Sequence, residues 1–155
     1  MKLAALVLLA AACAHPAQET RATAPGPSRA ELSRLTVVVA PRTVVNDPVL
    51  QERAALLRAA LAQALAGEGF QLAEKPGALV VTTSIDYAPW TSVSAASLYL
   101  VVGLESEGLS VDQVELQQIN EAFPEADKLP DLASSLAHSL ATSPRLKDFL
   151  GRERN

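Results

Sequence analysis

The sequence predicts an α+β domain, a two-layer sandwich with elements in the order β-α-β-β-β-α, and three observations carry the prediction. A β-branched run at residues 35–40 is followed by a capped, leucine-striped segment and then by a second run with strand alternation. Two more alternating segments follow, joined by Glu105-Ser106-Glu107-Gly108, a turn sequence with glycine where a left-handed residue is needed. Beyond residue 129, Leu132, Leu136 and Leu140 recur at helical spacing. Strand, long helix and strand make a βαβ unit, so the first two strands are expected to run parallel. The expected product is a four-stranded mixed sheet with two main helices on one face and a short C-terminal helix.

Taken in order, Leu35-Thr36-Val37-Val38-Val39-Ala40 has the pattern of a strand covered on both faces. Pro41 interrupts it, and residues 42–45 read as an edge extension. Asn46-Asp47-Pro48 marks a helix start, because the Asp47 carboxylate accepts from orphan amides and Pro48 brings a helical φ of its own. That helix is predicted to reach residue 66, with Leu50, Ala54, Leu57, Leu61, Ala64 and Leu65 on one stripe, and to stop at Gly67 and Gly69. Phe70-Gln71-Leu72 leads through the turn Glu74-Lys75-Pro76-Gly77 into a strand over 78–87, with Leu79, Val81, Thr83, Ile85 and Tyr87 on one face. Residues 88–94 read as a loop, and 96–105 alternate again with Leu98, Leu100, Val102 and Leu104 on one face. The strand over 109–119 loses phase between Val111 and Val114, which predicts a β-bulge near Asp112-Gln113. After an acidic connection, Leu129-Pro130-Asp131 opens the second helix, whose stripe adds Ala133 and Ala137 to its leucines. Ser143-Pro144 ends it and begins the terminal helix, with Leu146, Phe149 and Leu150 apolar.

The N-terminus follows other rules. Lys2 is a positive start, Leu3 to Leu9 an apolar stretch, and Ala10 to Ala12 the small residues of a cleavage site, the marks of an export signal. The apolar run is too short to cross a bilayer, which takes roughly 20 residues. The single cysteine of the chain, Cys13, follows the small residues directly. A lone thiol in an exported chain invites intermolecular disulfides unless it is consumed. The plainer alternative is cleavage after Ala12 or Ala14 and release of a soluble protein. Residues 1–12 therefore read as signal peptide. Residues 13–34, with Pro16, Pro25, Gly26 and Pro27 and no apolar periodicity, read as a flexible tether reaching about 25 Å, and 35–155 as a single domain.

This stretch resembles the lipobox of bacterial lipoproteins, in which the cysteine thiol is diacylated and becomes the mature N-terminus. That family prefers leucine three residues before the cysteine; here Ala10 stands there and Leu9 one step further back. The resemblance implies lipidation of Cys13 and anchoring to the membrane through the acyl chains, a palmitate-type modification. In the resembled family aspartate after the cysteine favours the inner membrane; Ala14 implies the outer membrane, periplasmic face, of a diderm bacterium.

Composition narrows the partners. The formal charge of −4 becomes more negative once Lys2 leaves with the signal, and no lysine–arginine cluster exists. Nucleic acid and an anionic bilayer surface, both bound through clustered basic groups, are therefore not the expected ligands. One cysteine excludes an internal disulfide, and two histidines are too few for a Cys/His metal set. Neither a metal nor a cofactor is expected.

Three groups of residues come nearest to a catalytic or metal-binding constellation. Ser134 or Ser135 with His138 has helical spacing but lacks the strained strand-to-helix turn of a serine nucleophile, so His138 reads as a surface residue beside the core stripe. His15 lies in the tether. Glu105, Glu107, Asp112 and Glu115 lack calcium-loop spacing and read as a solvated hairpin. Tyr87-Ala88-Pro89-Trp90 is different, because pairing of the strands on either side brings Tyr99 to the same region. Tyr87, Trp90 and Tyr99 form a candidate partner-binding site, since tyrosine and tryptophan are common interface anchors. The competing reading is that Trp90 folds back to plug an open end of the core.

A lipobox, a proline-rich tether and this element order together resemble small envelope lipoproteins that assist larger machines. Examples are the lipopolysaccharide-assembly lipoprotein that plugs an outer-membrane translocon and the auxiliary lipoproteins of lipid-transporting ABC systems. The resemblance is topological, over residues 35–150, and brings no site residues with it. It implies a non-catalytic adaptor or assembly factor for an envelope protein complex, docking by sheet edge, loop or open sheet face. The alternative is a module that binds a lipid or other apolar ligand in the periplasm. An apolar pocket lined by Leu, Val and Tyr would favour the ligand; a flat polar face or an unpaired edge would favour the adaptor.

Overall fold

The computed structural model describes residues 25–75, 77–89, 96–119 and 123–152. In chain order the elements are α1 (Arg29–Leu32), β1 (Thr36–Val39), β2 (Val44–Val45), α2 (Gln51–Glu68), β3 (Gln71–Leu72), β4 (Leu79–Pro89), β5 (Ala96–Ser106), β6 (Leu109–Ile119), α3 (Leu129–Ala141) and α4 (Pro144–Arg152). The class is α+β. The strands form one mixed six-stranded sheet in the order β3-β1-β4-β5-β6, with β2 also paired to β4.

The βαβ unit is present, with β1 parallel to β4 through Val37↔Leu79 and Val39↔Val81. The expected four-stranded sheet is corrected to six strands, because two short pieces add to it. β3 holds only Gln71 and Leu72, too few residues for an alternation to be read. Its place is set by backbone: Gln71 N–H donates to Leu35 O at 3.0 Å and Ala73 N–H to Val37 O at 3.1 Å. β2 is the extension expected after Pro41, displaced so that Val44 and Val45 lie beside Ser84 and Ile85 of β4.

α2 starts as read. Asp47 Oδ1 accepts from Val49 N–H at 3.0 Å, Pro48 opens a turn of 3-10 helix, and the α-helix follows. It runs through Gly67 and ends at Gly69, whose φ of 114° is left-handed and whose N–H donates to Leu65 O and Ala66 O. Ala54, Leu57, Leu61 and Leu65 are buried against α3 and the sheet. From α3 come Leu129, Ala133, Leu136, Ala137 and Leu140, and from α4 Leu146 and Leu150. Val37, Val81, Ile85, Leu100, Val102 and Leu104 supply the sheet side of that core.

The hairpin turn is Glu107-Gly108, both with positive φ (51° and 78°), as a two-residue turn between strongly twisted strands requires. It pairs Ser106 with Leu109, and Glu105 then meets Ser110 while Leu104 meets Asp112. The extra residue is therefore Val111, just before the expected position of the bulge, because the tight turn fixes the register first.

The packed domain starts earlier than residue 35. Ser28 and Glu31 form a capping box for α1, and Leu32 is buried in the core. Lys147 Nζ lies 3.0 Å from Glu31 Oε2, tying α4 to α1. Gly26 runs so close to the end of α3 that a Cβ there would sit 2.3 Å from Thr142 O. A short helix held by one leucine and two caps has no periodicity, so composition alone does not reveal it.

Two outcomes follow. Leu61→Ala, at a fully buried core position of α2, is expected to lower stability by about 2–5 kcal/mol in urea unfolding. Glu31 is held down from the ordinary 4.5 to about 2 by the Ser28 backbone N–H, then by Lys147 and the Ser28 hydroxyl. A carboxylate depressed on folding contributes stability that is complete above its unfolded value and is lost as pH falls through the folded one. Glu31→Gln is expected to leave the acid unfolding curve with less slope between about pH 4.5 and about 2, measured by circular dichroism.

Candidate functional site

The register of β4, β5 and β6 decides which side chains share a surface. Directly opposed residues project to the same face, and the face carrying Val81, Thr83 and Ile85 with Leu104, Val102 and Leu100 is covered by helices. The other face carries Thr82, Ser84 and Asp86 on β4, Tyr99, Val101, Gly103 and Glu105 on β5, and Gln113, Glu115 and Gln117 on β6. Among the described residues nothing covers it. It is mostly polar, with Val80, Val101 and the Tyr99 ring as its apolar part.

Its side chains are cross-linked across strands. The Tyr99 hydroxyl donates to the Glu115 carboxylate, and that bond with partial desolvation holds the phenol above its ordinary value of 10.0. Glu115 also accepts from Gln113 Nε2 at 2.6 Å. Thr82 Oγ1 approaches Glu105 at 3.4 Å, in space that Gly103 leaves open: a Cβ at 103 would lie 2.7 Å from that oxygen. At the far end Asn46 stands in for a strand, accepting from Tyr87 N–H at 2.9 Å and donating to Tyr87 O and Asp86 Oδ1.

The expected aromatic site divides. β4 and β5 do pair, but Tyr99 opposes Asp86 and Tyr87 opposes Leu98, so the two tyrosines lie on opposite faces. Tyr87 packs against the helix-covered core. Tyr99 is 39% exposed on the open face. A two-residue periodicity places residues 87 and 99 on different faces whenever 86 and 99 are in register, and the sequence carries no mark of that register. Trp90 and Cys13 lie outside the described residues.

The other candidates have local roles. His138 Nδ1 meets Glu68 Oε1 of α2 at 3.2 Å. Ser134 Oγ donates to Pro130 O at 2.9 Å, within its own helix. The four hairpin acids are dispersed: Glu105 and Glu115 on the open face, Glu107 in the turn, Asp112 beneath the helices. Among the described residues no group of three His, Cys, Asp or Glu side chains is placed to hold a metal ion.

Asp112, expected in a solvated hairpin, is buried. It is 4% exposed, and although Oδ1 accepts from Gln113 N–H at 2.9 Å, Oδ2 has no hydrogen-bond partner among the described residues. The bulge is the cause: with Val111 unopposed, Asp112 takes the inward position opposite Leu104. The phase slip in the sequence, moved back by one residue, is the signal that finds it. Asp112 lines a groove of about 540 Å³ with Gln113, Glu115, Ser143, Pro144 and Arg145. Gln113 and Glu115 belong to the open face, Asp112 to the covered face and residues 143–145 to the helix layer, so this groove runs along the free edge of β6. A second groove of about 490 Å³ continues it, between Leu109, Val111 and Phe149 and the charged groups Glu107, Asp148 and Arg152.

The Tyr99–Glu115 bond has a direct readout. Glu115→Gln is expected to bring the Tyr99 titration down toward the ordinary tyrosine range, followed by NMR of the ring while Tyr87 is replaced by Phe.

No protein-family model and no curated protein sequence matches the chain. Solved structures do resemble it. The PelC dodecamer from Paraburkholderia phytofirmans is 17% identical with a TM-score of 0.44, over 74% of this chain and 90% of that one. A minor lipoprotein from Acinetobacter baumannii is 12% identical with a TM-score of 0.38, over 68% and 91%. A Caulobacter crescentus protein described as a lipoprotein is 18% identical with a TM-score of 0.40, over 82% and 97%. None of them supplies a residue role for this chain.

Proposed function

We propose that the protein is a lipid-anchored envelope lipoprotein, attached through Cys13 to the periplasmic face of the outer membrane. It acts there as a non-catalytic adaptor or assembly factor that docks a protein partner. The observation that carries the adaptor reading is the surface left by the sheet. One face of the sheet is mostly polar and, among the described residues, β6 has a free edge, where an apolar-ligand module needs an enclosed apolar pocket. The grooves beside β6 are open and carry acidic and basic side chains along their length, which does not favour a buried acyl chain. The lipid anchor rests on the signal sequence and its cysteine, and the outer membrane on Ala14.

The anchor is tested by mass spectrometry of the mature protein from bacterial membranes, beside Cys13→Ala. The expected result is a mass increase on a peptide beginning at Cys13 and release of the variant from membranes. An unmodified chain in the soluble periplasm overturns it. The adaptor role is tested by photo-cross-linking from position 117 on the open face, with position 59 on the exposed side of α2 as control. A discrete adduct from 117 and none from 59 is expected; equal, diffuse labelling from both overturns the role.

A further inference from the structure

The free edge of β6 is eleven residues long, Leu109–Ile119, and among the described residues no strand pairs with it. An edge of that length is a template for an added strand. Folded proteins restrain such edges with bulges and inward-pointing charges, and β6 has both, at Val111 and Asp112. Asp112 goes further than edge protection requires. Its Oδ2 is buried with no hydrogen-bond partner among the described residues, and a carboxylate in that condition is costly unless a donor or cation reaches it. Arg145 lines the same groove and makes no ion pair with it.

We infer that this edge accepts an extended segment of a partner protein carrying a lysine or arginine, which places its cationic group against Asp112 Oδ2 while its backbone pairs with β6. The proposal rests on the adaptor reading and gives it a binding mode. Two features select the occupant. Main-chain pairing along an edge takes any extended segment, but a segment with only apolar or acidic side chains would seal the Asp112 carboxylate away unpaired. A basic side chain removes that cost by a charge-assisted bond. The edge is thus closed to indiscriminate pairing and open to a segment of one chemistry. Glu115, at the other end of the groove, adds to the same preference for a cation.

The probe is a blocked seven-residue peptide alternating valine and lysine, titrated into the full-length Cys13→Ala chain, with glutamate and threonine replacing lysine as comparisons. Saturable binding of the lysine peptide is expected, with slowed amide exchange over residues 109–119, and at least about tenfold weaker binding of the other two peptides. Asp112→Asn is expected to weaken the lysine peptide by a similar factor and to level the three peptides. Absence of lysine-peptide binding, equal binding of the glutamate peptide, or exchange protection away from β6 overturns the inference. Because the peptide comparison needs no variant at Asp112, it decides the matter even if Asp112→Asn fails to fold. A discrete cross-link from position 117 alongside a failed peptide titration leaves the adaptor reading standing and removes this edge as its means.

Discussion

β4 pairs with β1 and β2 on one side and with β5 on the other, so its alternation decides which face of the whole sheet is dry. Leu79, Val81, Thr83 and Ile85 point one way and are buried; Val80, Thr82, Ser84 and Asp86 point the other. A slip of one residue against β5 would put Val102 and Leu104 in water and Glu105 under the helices, a cost that no surface interaction offsets. The buried Thr43–Thr83 hydroxyl pair at 2.7 Å shows how a polar residue is kept on the dry side: it finds its partner from the segment leading into β2. The helices then have one place to go. α2 and α3 lie together over the dry face, and the open face is what remains of the sheet.

What was legible in the sequence is what local physics specifies strongly. Asp47 and Pro48 announce α2, Gly69 stops it, and the leucines at spacings of three and four name its buried side. The β4 alternation and the Glu107-Gly108 turn are equally local. Elements whose existence depends on a distant partner were not legible. β3 is two exposed residues held by the carbonyls of Leu35 and Val37, and α1 is one turn held by Leu32 and by the Glu31–Lys147 contact across the chain. Neither has a periodicity of its own, because neither buries a face of its own.

The candidate site shows the same division. That Tyr87 and Tyr99 flank paired strands follows from pattern, but the face each occupies depends on which residues of β4 and β5 are opposed. Asp112 illustrates the point from the other direction. In sequence it sits among Glu105, Glu107 and Glu115 and reads as one more solvated acid; the register imposed by a two-residue turn rotates it inward. A single unopposed residue at Val111 therefore converts a surface charge into a buried one.

The path of the N-terminus gives these surfaces a common geometry. The chain enters the domain at Gly26, in contact with Thr142, and Thr142 precedes Ser143, Pro144 and Arg145 of the β6 groove. Gly26 and the β6 groove therefore lie at the same corner of the domain. Under the proposed anchoring at Cys13, thirteen residue steps separate the acylated cysteine from Gly26, a covalent reach of at most about 45 Å at ~3.3–3.6 Å per residue. That distance bounds how far from the membrane the corner can stand. A partner reaching β6 must then present its segment within the same few tens of ångströms, which turns a weak edge contact into an effectively intramolecular one when the partner is itself held at the membrane. Modest affinity at the edge would be sufficient under that constraint. The inward carboxylate would then set which segment is accepted, while the anchor raises its local concentration.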